Sequence, residues 1–486
     1  MVFMRGTKSY ENSHALAVAL VGLILMGAVA ASAVDPEWPQ FRGPFGLGIA
    51  DGEKPPIYFG TQSNVLWQVE LPSGVSSPCI EGNRIFLTTF SEGKLATVCM
   101  DRKDGRVLWQ RTAPAEKIEA FHPTEGSPAS ASPAADRNHV VVYFGSCGLL
   151  AYDFEGKELW RLGLPVARQV GDFGSGTSPV LAGGLVLVNR DQLEGSELLA
   201  VDSTTGKVKW KADRSPFKSS FGAPVTWTNG QSQEVVLPGS MQMVAYDLKT
   251  GAERWRVNGL PSAICTTPVV SDGLLFFAGW SPGKADAPIP PFESFAKDED
   301  KNQDGFIDRD EAGPMVKSLL STLDSNHDQK LSKEEWEAFA VNIAKGENVA
   351  LAVRPGGQGD ITESHVAWKY KRGLPYVPSP IVYRGSIYFV KDGGMVTCLK
   401  AATGEPNYEQ ERLGSPGTYY SSLVAANGII YACSVNGVVT AFRAGDKFEV
   451  LGTNDLKERI SATPAIADNT LYLRTDKHLY AFKAKP

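Results

Sequence analysis

Short runs of apolar residues recur along this chain, each of strand length and bounded by glycine, asparagine or aspartate. Clear examples are "RIFLTTF", "LVLVNR", "LLFFAGW", "SIYFVKD" and "IIYACS", all rich in β-branched and aromatic residues. Such runs are typical of β-strands. Because apolar residues fill most positions of each run, and not only alternate ones, the pattern predicts strands that are buried on both faces.

These strands belong to a unit that recurs eight times, and each copy opens with a small residue followed by proline or, once, leucine. Successive copies start 44 to 55 residues apart until one interval of 112, after which the intervals are 43 and 41. A period of about 40–50 residues with four short strands is typical of a propeller blade. The sequence therefore predicts an all-β fold, an eight-bladed β-propeller of four-stranded blades. The opening dipeptides are Ser77-Pro78, Ser132-Pro133, Ser178-Pro179, Ala223-Pro224, Thr267-Pro268, Ser379-Pro380, Ser422-Leu423 and Thr463-Pro464.

Two recurrent residue types are expected to serve the blades themselves. Segments of the form Asp-x-x-x-Gly, such as Asp202–Gly206, should turn the third strand into the fourth, because aspartate accepts backbone hydrogen bonds and glycine adopts positive φ. Tryptophans on the outer strand should pack between neighbouring blades. A functional aspartate and a cofactor-stacking tryptophan are the alternatives, and recurrence in blade after blade favours the structural interpretation. The tryptophans are Trp109, Trp160, Trp210, Trp255 and Trp368.

The last copy ends at "LYAFKAKP" without a fourth strand, whereas "NVLWQVEL" (Asn64–Leu71) precedes the first copy. This early segment ends like the other outer strands. We therefore expect it to complete the eighth blade and to close the ring, which removes exposed strand edges.

The interval of 112 residues contains "DKNQDGFIDRDE", which starts at Asp300. Oxygen-bearing residues alternate in this stretch, glycine occupies position six and glutamate position twelve. This is the EF-hand arrangement for Ca²⁺, in which the final glutamate binds through both oxygens. A solvated acidic loop is the alternative. The predicted ligands are Asp300, Asn302, Asp304, the backbone carbonyl of Phe306, Asp308 and Glu311.

A second loop, "DSNHDQKLSKEE", follows at Asp324, and Gln329 replaces the glycine of position six. A non-glycine residue at positive φ costs about 1–2 kcal/mol, and this loop has fewer carboxylates. We therefore expect one strong Ca²⁺ site and one weaker site. The predicted ligands of the second loop are Asp324, Asn326, Asp328, the carbonyl of Lys330, Ser332 and Glu335.

Composition and the N-terminus indicate an exported protein. The 486 residues carry a net charge of −6, which argues against a nucleic-acid partner. A basic start, the apolar run Ala15–Ala30 and an "ASA" sequence predict a signal peptide at 1–33, with no membrane span after its cleavage. An uncleaved anchor is the alternative, but a run of 16 residues that ends in small residues is short for a membrane span. The six cysteines form no CxxC, and we interpret them as small buried residues. The predicted domains are the propeller at 34–283 and 348–486, with an EF-hand pair at 284–347 inserted in the fifth blade.

The repeats, together with "WPQFRGPFGLG" (Trp38–Gly48) and "GQGDITESHVAW" (Gly357–Trp368), resemble the pyrroloquinoline-quinone (PQQ)-like β-propeller family. That family includes quinoprotein dehydrogenases and the outer-membrane assembly propeller. The resemblance implies a dehydrogenase as the alternative function, with PQQ and Ca²⁺ in the channel. However, the chain has no Cys-Cys dipeptide, and no stretch matches the aspartate base or the cofactor-clamping residues. We therefore do not expect PQQ.

The sequence favours a non-catalytic, exported binding or scaffold propeller, periplasmic or secreted, that binds calcium through its insert. Propellers present a rigid, loop-lined face to their ligands. We expect a protein, peptide or polysaccharide ligand on that face, and a monomer. Four charged residues outside the repeat consensus are candidates for ligand contact, with ordinary solvated loop residues as the alternative. They are Arg168, Asp172, Arg190 and Asp191.

Overall fold

Eight sheets follow one another along the chain, each with four antiparallel strands, and one of them has a fifth strand that is parallel to its neighbour. The structure is a computed structural model that describes residues 37–485, apart from 219, 231, 284–288, 314–315, 318–319, 321–322 and 325–327. The predicted signal peptide lies outside the described residues. The first strand, β1 (Val65–Glu70), does not pair with the strand that follows it and belongs to the last blade.

The first four blades are formed by consecutive strands. Blade 1 comprises β2 (Cys79–Glu81), β3 (Arg84–Ser91), β4 (Lys94–Asp101) and β5 (Val107–Thr112). Blade 2 comprises β6 (Ala134–Ala135), β7 (Val140–Phe144), β8 (Gly148–Tyr152) and β9 (Glu158–Gly163). Blade 3 comprises β10 (Val180–Ala182), β11 (Leu185–Arg190), β12 (Glu197–Asp202) and β13 (Val208–Asp213). Blade 4 comprises β14 (Val225–Asn229), β15 (Ser232–Gly239), β16 (Gln242–Asp247) and β17 (Glu253–Asn258).

Blade 5 contains the insertion, between its second and third strands. Its first two strands are β18 (Val269–Ser271) and β19 (Leu274–Gly279). The insertion contains α1 (Phe292–Glu299), β20 (Ile307–Asp308), β21 (Lys330–Leu331) and α2 (Lys333–Ile343). The blade resumes with β22 (Val349–Val353), and its last connection holds β23 (Gly359–Asp360) and α3 (Thr362–His365) before β24 (Val366–Tyr370).

The remaining blades return to consecutive strands. Blade 6 comprises β25 (Ile381–Tyr383), β26 (Ser386–Lys391), β27 (Met395–Lys400) and β28 (Pro406–Arg412). Blade 7 comprises β29 (Val424–Ala426), β30 (Ile429–Cys433), β31 (Val438–Arg443) and β32 (Val450–Asp455). Blade 8 comprises β33 (Ala465–Ala467), β34 (Thr470–Arg474) and β35 (His478–Lys483), and β1 is its outer strand. The predicted closure of the ring is therefore confirmed.

Burial follows the position of each strand within its blade. The middle strand β11 is buried at every position, whereas β9 on the rim buries mainly Trp160 and exposes the residues on either side of it. Each blade packs between two neighbours, so its middle strands have no face open to solvent. The continuous apolar runs in the sequence therefore correspond to strands buried on both faces.

The rim tryptophan of one blade packs on the glycine turn of the next. A Cβ placed on Gly206 would lie 2.7 Å from the Trp160 ring, and the Trp160 indole N–H donates to the Ser203 carbonyl at 2.9 Å. The indole can pack this closely only because the glycine has no side chain. The same arrangement joins Trp67 to Gly105, Trp109 to Gly156, Trp210 to Gly251 and Trp368 to Gly404.

Trp255 departs from this pattern, although the sequence groups it with the other four. Its indole N–H donates within its own blade, to Glu234 Oε2 at 2.9 Å. The reason lies in blade 5, whose last connection is long and places β23 beside β17 as a parallel fifth strand. That strand replaces the short glycine turn on which Trp255 would otherwise pack.

A second interaction links the blades around the central channel. At seven of the eight steps, the backbone N–H of one blade's opening residue donates to the hydroxyl of the next, at 2.9–3.1 Å. The step from Ser178 lacks this bond because Ala223 has no hydroxyl. We call these hydroxyl residues the hydroxyl ring: Ser77, Ser132, Ser178, Thr267, Ser379, Ser422 and Thr463.

Residues 38–50, which we call the floor segment, cross one end of the channel. Trp38 and Ile80 of blade 1 exchange backbone hydrogen bonds, and the Ala135 N–H of blade 2 donates to the Pro39 carbonyl. Farther along the segment, the Ala50 N–H donates to Ala425 of blade 7 at 2.9 Å. A segment that contacts the inner strands of these blades closes the lower end of the channel. The upper end carries the connections between blades and the insertion.

The docking of tryptophan on glycine makes a prediction about stability. Gly206→Ala should lower the free energy of unfolding by about 1–3 kcal/mol more than Gly184→Ala. Both glycines have positive φ, 70° and 77°, but nothing lies within 4 Å of a Cβ at Gly184. The control therefore carries the backbone cost without the clash against Trp160. Thermal unfolding of both variants measures the difference, and equal melting temperatures would contradict this account of the blade contact.

Candidate metal centre

The insertion has a small apolar core that fixes the position of two acidic loops. Phe292 of α1 and Trp336 of α2 are buried in it with Ile307 and Leu331, and the Phe295 and Trp336 rings stack at 4.1 Å. Ile307 and Leu331 also pair in the β20–β21 ladder. Each is the apolar residue at position eight of its loop, so their pairing holds the two loops side by side.

Backbone N–H groups hold the side chains of the first loop, Asp300–Glu311, in a turned conformation. Asp300 accepts from the Gly305 N–H at 3.0 Å, and Asn302 accepts from the Asp304 N–H at 2.8 Å. Gly305 has φ 87°, as the sharp turn at position six requires. Glu311 at the end of the loop accepts from the Lys301 N–H at 2.9 Å, so the last residue folds back on the first turn.

Three carboxylates of this loop converge. One oxygen each from Asp300, Asp304 and Glu311 lies within 4.8 Å of the others. Ligands on opposite sides of a Ca²⁺ ion are about 4.6–5.2 Å apart, because Ca–O distances are about 2.3–2.6 Å. A hard-oxygen donor set of this size therefore fits Ca²⁺. A hydrogen bond from the Phe306 N–H lowers the pKa of Asp304, which favours the charged form that a cation needs.

Asp308 also lies within this loop. Its Oδ1 accepts from the Asp310 N–H at 2.9 Å, and its own N–H donates to Glu311 Oε1 at 2.9 Å. The predicted ligands of the first loop thus form one connected network, and calcium binding by that network stays a prediction.

The second loop repeats part of this geometry. Asp324 accepts from the Asp328 N–H at 3.1 Å and the Gln329 N–H at 2.8 Å, and Gln329 has φ 68°. The strained backbone expected for a residue in the place of glycine is therefore present. Ser332 caps α2, and Glu335 accepts from the Ser332 N–H at 3.0 Å. Asn326 lies outside the described residues.

Charged side chains connect the first loop with its surroundings. Lys330 of the second loop places Nζ 3.3 Å from Asp304 Oδ2, so a protein cation already lies beside a predicted calcium ligand. On the propeller, burial raises the pKa of Asp172, opposed by the charges of Arg168 and of Arg309 in the first loop. The charge of Arg309 in the insertion therefore acts on Asp172, which lies with Arg168 in the connection between blades 2 and 3.

The four candidate face residues have two different environments. Arg168 is 55% exposed and pairs with Glu194 at 3.0 Å. Arg190 and Asp191 are buried, with 3% and 1% exposure. Arg190 pairs with Glu197 at 2.9 Å, and Asp191 accepts two 2.7 Å bonds from Arg214. Their expected place on an open face is wrong, because both residues are buried and pair with charged residues of their own blade, blade 3.

Glu119 is a buried titratable residue that no motif in the sequence identifies. It lies in the connection from blade 1 to blade 2 with 2% exposure, and its Oε2 accepts from the Ser175 Oγ at 2.7 Å. Burial raises the pKa of Glu119 to about 7, opposed by hydrogen bonds from Ser175 and by the charge of Arg190. Only the packing of loops from different blades creates this environment.

Comparison with known families identifies the propeller. The model of the family described as outer membrane protein assembly factor BamB matches residues 97–283 and 337–485. The chain belongs to that family. The unmatched stretch between the two matched segments contains both acidic loops, so the BamB family model does not account for the insertion. No curated protein matches the chain.

Solved structures share the fold at low sequence identity. BamB from Moraxella catarrhalis is 13% identical, with a TM-score of 0.54 over 86% of this chain and 98% of that one. A quinohemoprotein alcohol dehydrogenase from Pseudomonas putida HK5 is 12% identical, with a TM-score of 0.53 over 92% and 80%. A europium-containing methanol dehydrogenase is 12% identical, with a TM-score of 0.54 over 90% and 89%. At these identities the likeness shows the fold alone.

No helix within the described residues has the length and apolarity needed to cross a membrane.

Calcium binding can be tested at Glu311. In the mature protein, Glu311→Gln should weaken the tighter of two calcium-binding events by at least about 10-fold, because it removes one oxygen charge from the predicted bidentate ligand. Asp310→Asn is the matched control, since Asp310 is exposed and occupies no ligand position. Isothermal titration calorimetry measures both variants, and an equal loss of affinity in the two would contradict the ligand assignment.

The buried carboxyl of Glu119 makes a prediction about pH. The fold raises the pKa of Glu119 to about 7, so it favours the protonated form, and wild-type stability should fall as pH rises from the ordinary pKa toward 7. The loss should reach about 3 kcal/mol. Glu119→Gln should not show this loss, whereas Glu116→Gln, exposed in the same connection, should behave like wild type. Melting temperatures between pH 4.5 and 8 measure it, and parallel curves for all three proteins would contradict the assignment.

Proposed function

We propose that this protein is an exported, non-catalytic scaffold propeller whose insertion, residues 284–347, is an EF-hand pair that binds Ca²⁺. The observation that carries the proposal is the convergence of Asp300, Asp304 and Glu311 in a loop with glycine at position six. The second loop, beside it, is the weaker site. Export rests on the N-terminal sequence alone, and the compartment is the periplasm or the cell exterior.

The upper face is the proposed binding surface. The floor segment occupies the lower end of the channel, whereas the upper face presents the connections between blades together with the insertion. Arg168 is exposed there, and Asp172 interacts with Arg309 of the first calcium loop. A ligand that contacts Arg168 and Asp172 would therefore lie next to the calcium module. We propose a protein, peptide or polysaccharide as that ligand.

Calcium would act in this site by fixing loop geometry. The first loop already uses backbone N–H groups to hold its carboxylates, and a divalent ion bound by three carboxylates would remove their mutual repulsion. A rigid first loop would in turn fix Arg309 relative to Asp172. Calcium would thus set the shape of the upper face, whereas propeller residues would contact the ligand and determine which ligand binds.

A quinoprotein dehydrogenase is the competing function, because the fold is shared with two dehydrogenases. The two functions differ in a direct measurement. Incubation of the mature protein with PQQ and Ca²⁺ should give no stoichiometric cofactor spectrum and no dye-linked alcohol oxidation. Either signal would favour the enzyme over the scaffold.

The proposed binding face can be mapped by site-specific photo-cross-linking in cells. A photo-reactive residue at Arg168 on the upper face should give one discrete adduct that is saturable with excess unlabelled protein. The matched control is the same residue at Lys103, exposed in a lower-face turn. Adducts from Lys103 alone, or equal adducts from both positions, would contradict an upper-face binding site.

A further inference from the structure

Arg42 in the floor segment is a wholly buried cation with unused hydrogen-bond donors. Its exposure is 0%, and its Nη2 donates to the Pro380 carbonyl at 2.5 Å and, more weakly, to the Leu47 carbonyl at 3.5 Å. Nε and Nη1 donate to no acceptor among the described residues. Burial of a charged group without partners for its donors is costly, so this arrangement needs an explanation.

Two other arginines are equally buried and show how the chain normally satisfies such a group. Arg214 forms two 2.7 Å bonds with Asp191 and a 2.9 Å bond with the Tyr246 hydroxyl. Arg474 faces no carboxylate, but it donates to four oxygens of Pro72, Ser76 and Thr88. Arg42 has neither a carboxylate nor a full set of neutral acceptors. Among the described arginines with at most 1% exposure, Arg42, Arg214 and Arg474, it is therefore the exception.

The surroundings of Arg42 favour an anion over a cation or an apolar ligand. Burial alone lowers the pKa of Arg42 to about 9, with no acidic group acting on it. Arg42 lies next to one member of the hydroxyl ring, since Pro380, whose carbonyl accepts from Nη2 of Arg42, follows Ser379. In the described part of the chain, the ring hydroxyls accept hydrogen bonds from backbone N–H groups but donate to no acceptor. Arg42 and the ring hydroxyls thus have N–H and O–H donors that no acceptor in the described part of the chain uses.

We propose that the closed end of the channel binds a small oxyanion, through the free Nε–H and Nη1–H of Arg42 and the O–H groups of the hydroxyl ring. The ion would supply the acceptors that Arg42 lacks and would neutralise its charge. Because the floor segment closes the lower end, the anion would enter from the upper face. Inorganic phosphate and the carboxylate of a small organic acid share this chemistry.

The test uses thermal unfolding of the mature protein in phosphate or acetate, at constant ionic strength and pH. Wild type should show a saturable rise in melting temperature of at least about 2 °C, because ligand binding stabilises the folded state by mass action. Arg42→Gln should lose the rise. Arg474→Gln, which removes a buried arginine whose donors are satisfied, should keep it whatever its starting stability. A response to phosphate alone, or to acetate alone, identifies the source of the oxyanion.

A rise that does not saturate, or one that is equal in wild type and Arg42→Gln, would overturn the proposal.

A second measurement does not depend on the folding of any variant. Wild-type crystals grown in selenate should give an anomalous peak within hydrogen-bond distance of Nε or Nη1 of Arg42. A water molecule there, or no peak, would show that the arginine is satisfied without an anion.

Discussion

The contact between one blade's tryptophan and the next blade's glycine turn is the constraint on which this ring depends. At five of the eight junctions between blades, the indole packs on a glycine and donates its N–H to a carbonyl, and both belong to the neighbouring blade. A blade therefore completes its packing only next to another blade. Trp67 shows the consequence, because it extends the same contact from β1 in blade 8 to Gly105 in blade 1. The chain closes by using its first strand last.

In a closed propeller the blades bury their faces against each other, so the two ends of the channel are where ligands can bind. The floor segment fills one end with backbone that bonds to blades on several sides, and Arg42 brings a positive charge into it. The other end receives the connections between blades, which differ from each other because no repeat contact restrains them. The insertion in blade 5 belongs to this variable end. The contrast explains why loops with different sequences, and not blade residues, carry the candidate functional groups.

The sequence predicts what depends on local spacing and misses what depends on contacts between distant segments. The opening proline dipeptides and the apolar runs were sufficient for eight blades, for closure by Asn64–Leu71 and for the position of the insertion. Arg190 and Asp191 were misread as surface charges, because their pairing with Glu197 and Arg214 depends on strand register within blade 3 and on burial, which the spacing of residues does not measure. Glu119 belongs to no motif, and Arg42 lies in the segment Trp38–Gly48, whose resemblance to a family assigns the arginine no role. Their properties arise from burial among loops that are remote in sequence, which a spacing argument does not measure.

The carboxylates of the first loop in the insertion repel each other, and a cation is needed to balance their charge. Three carboxylates within 4.8 Å repel each other unless a cation lies among them, and Lys330 places its ammonium group 3.3 Å from one of them. A single lysine on a flexible side chain offsets only part of that repulsion, and both side chains of this pair are about 40% exposed, so the pair is weak. A divalent ion is the stronger partner for the same oxygens, and its binding would free Lys330.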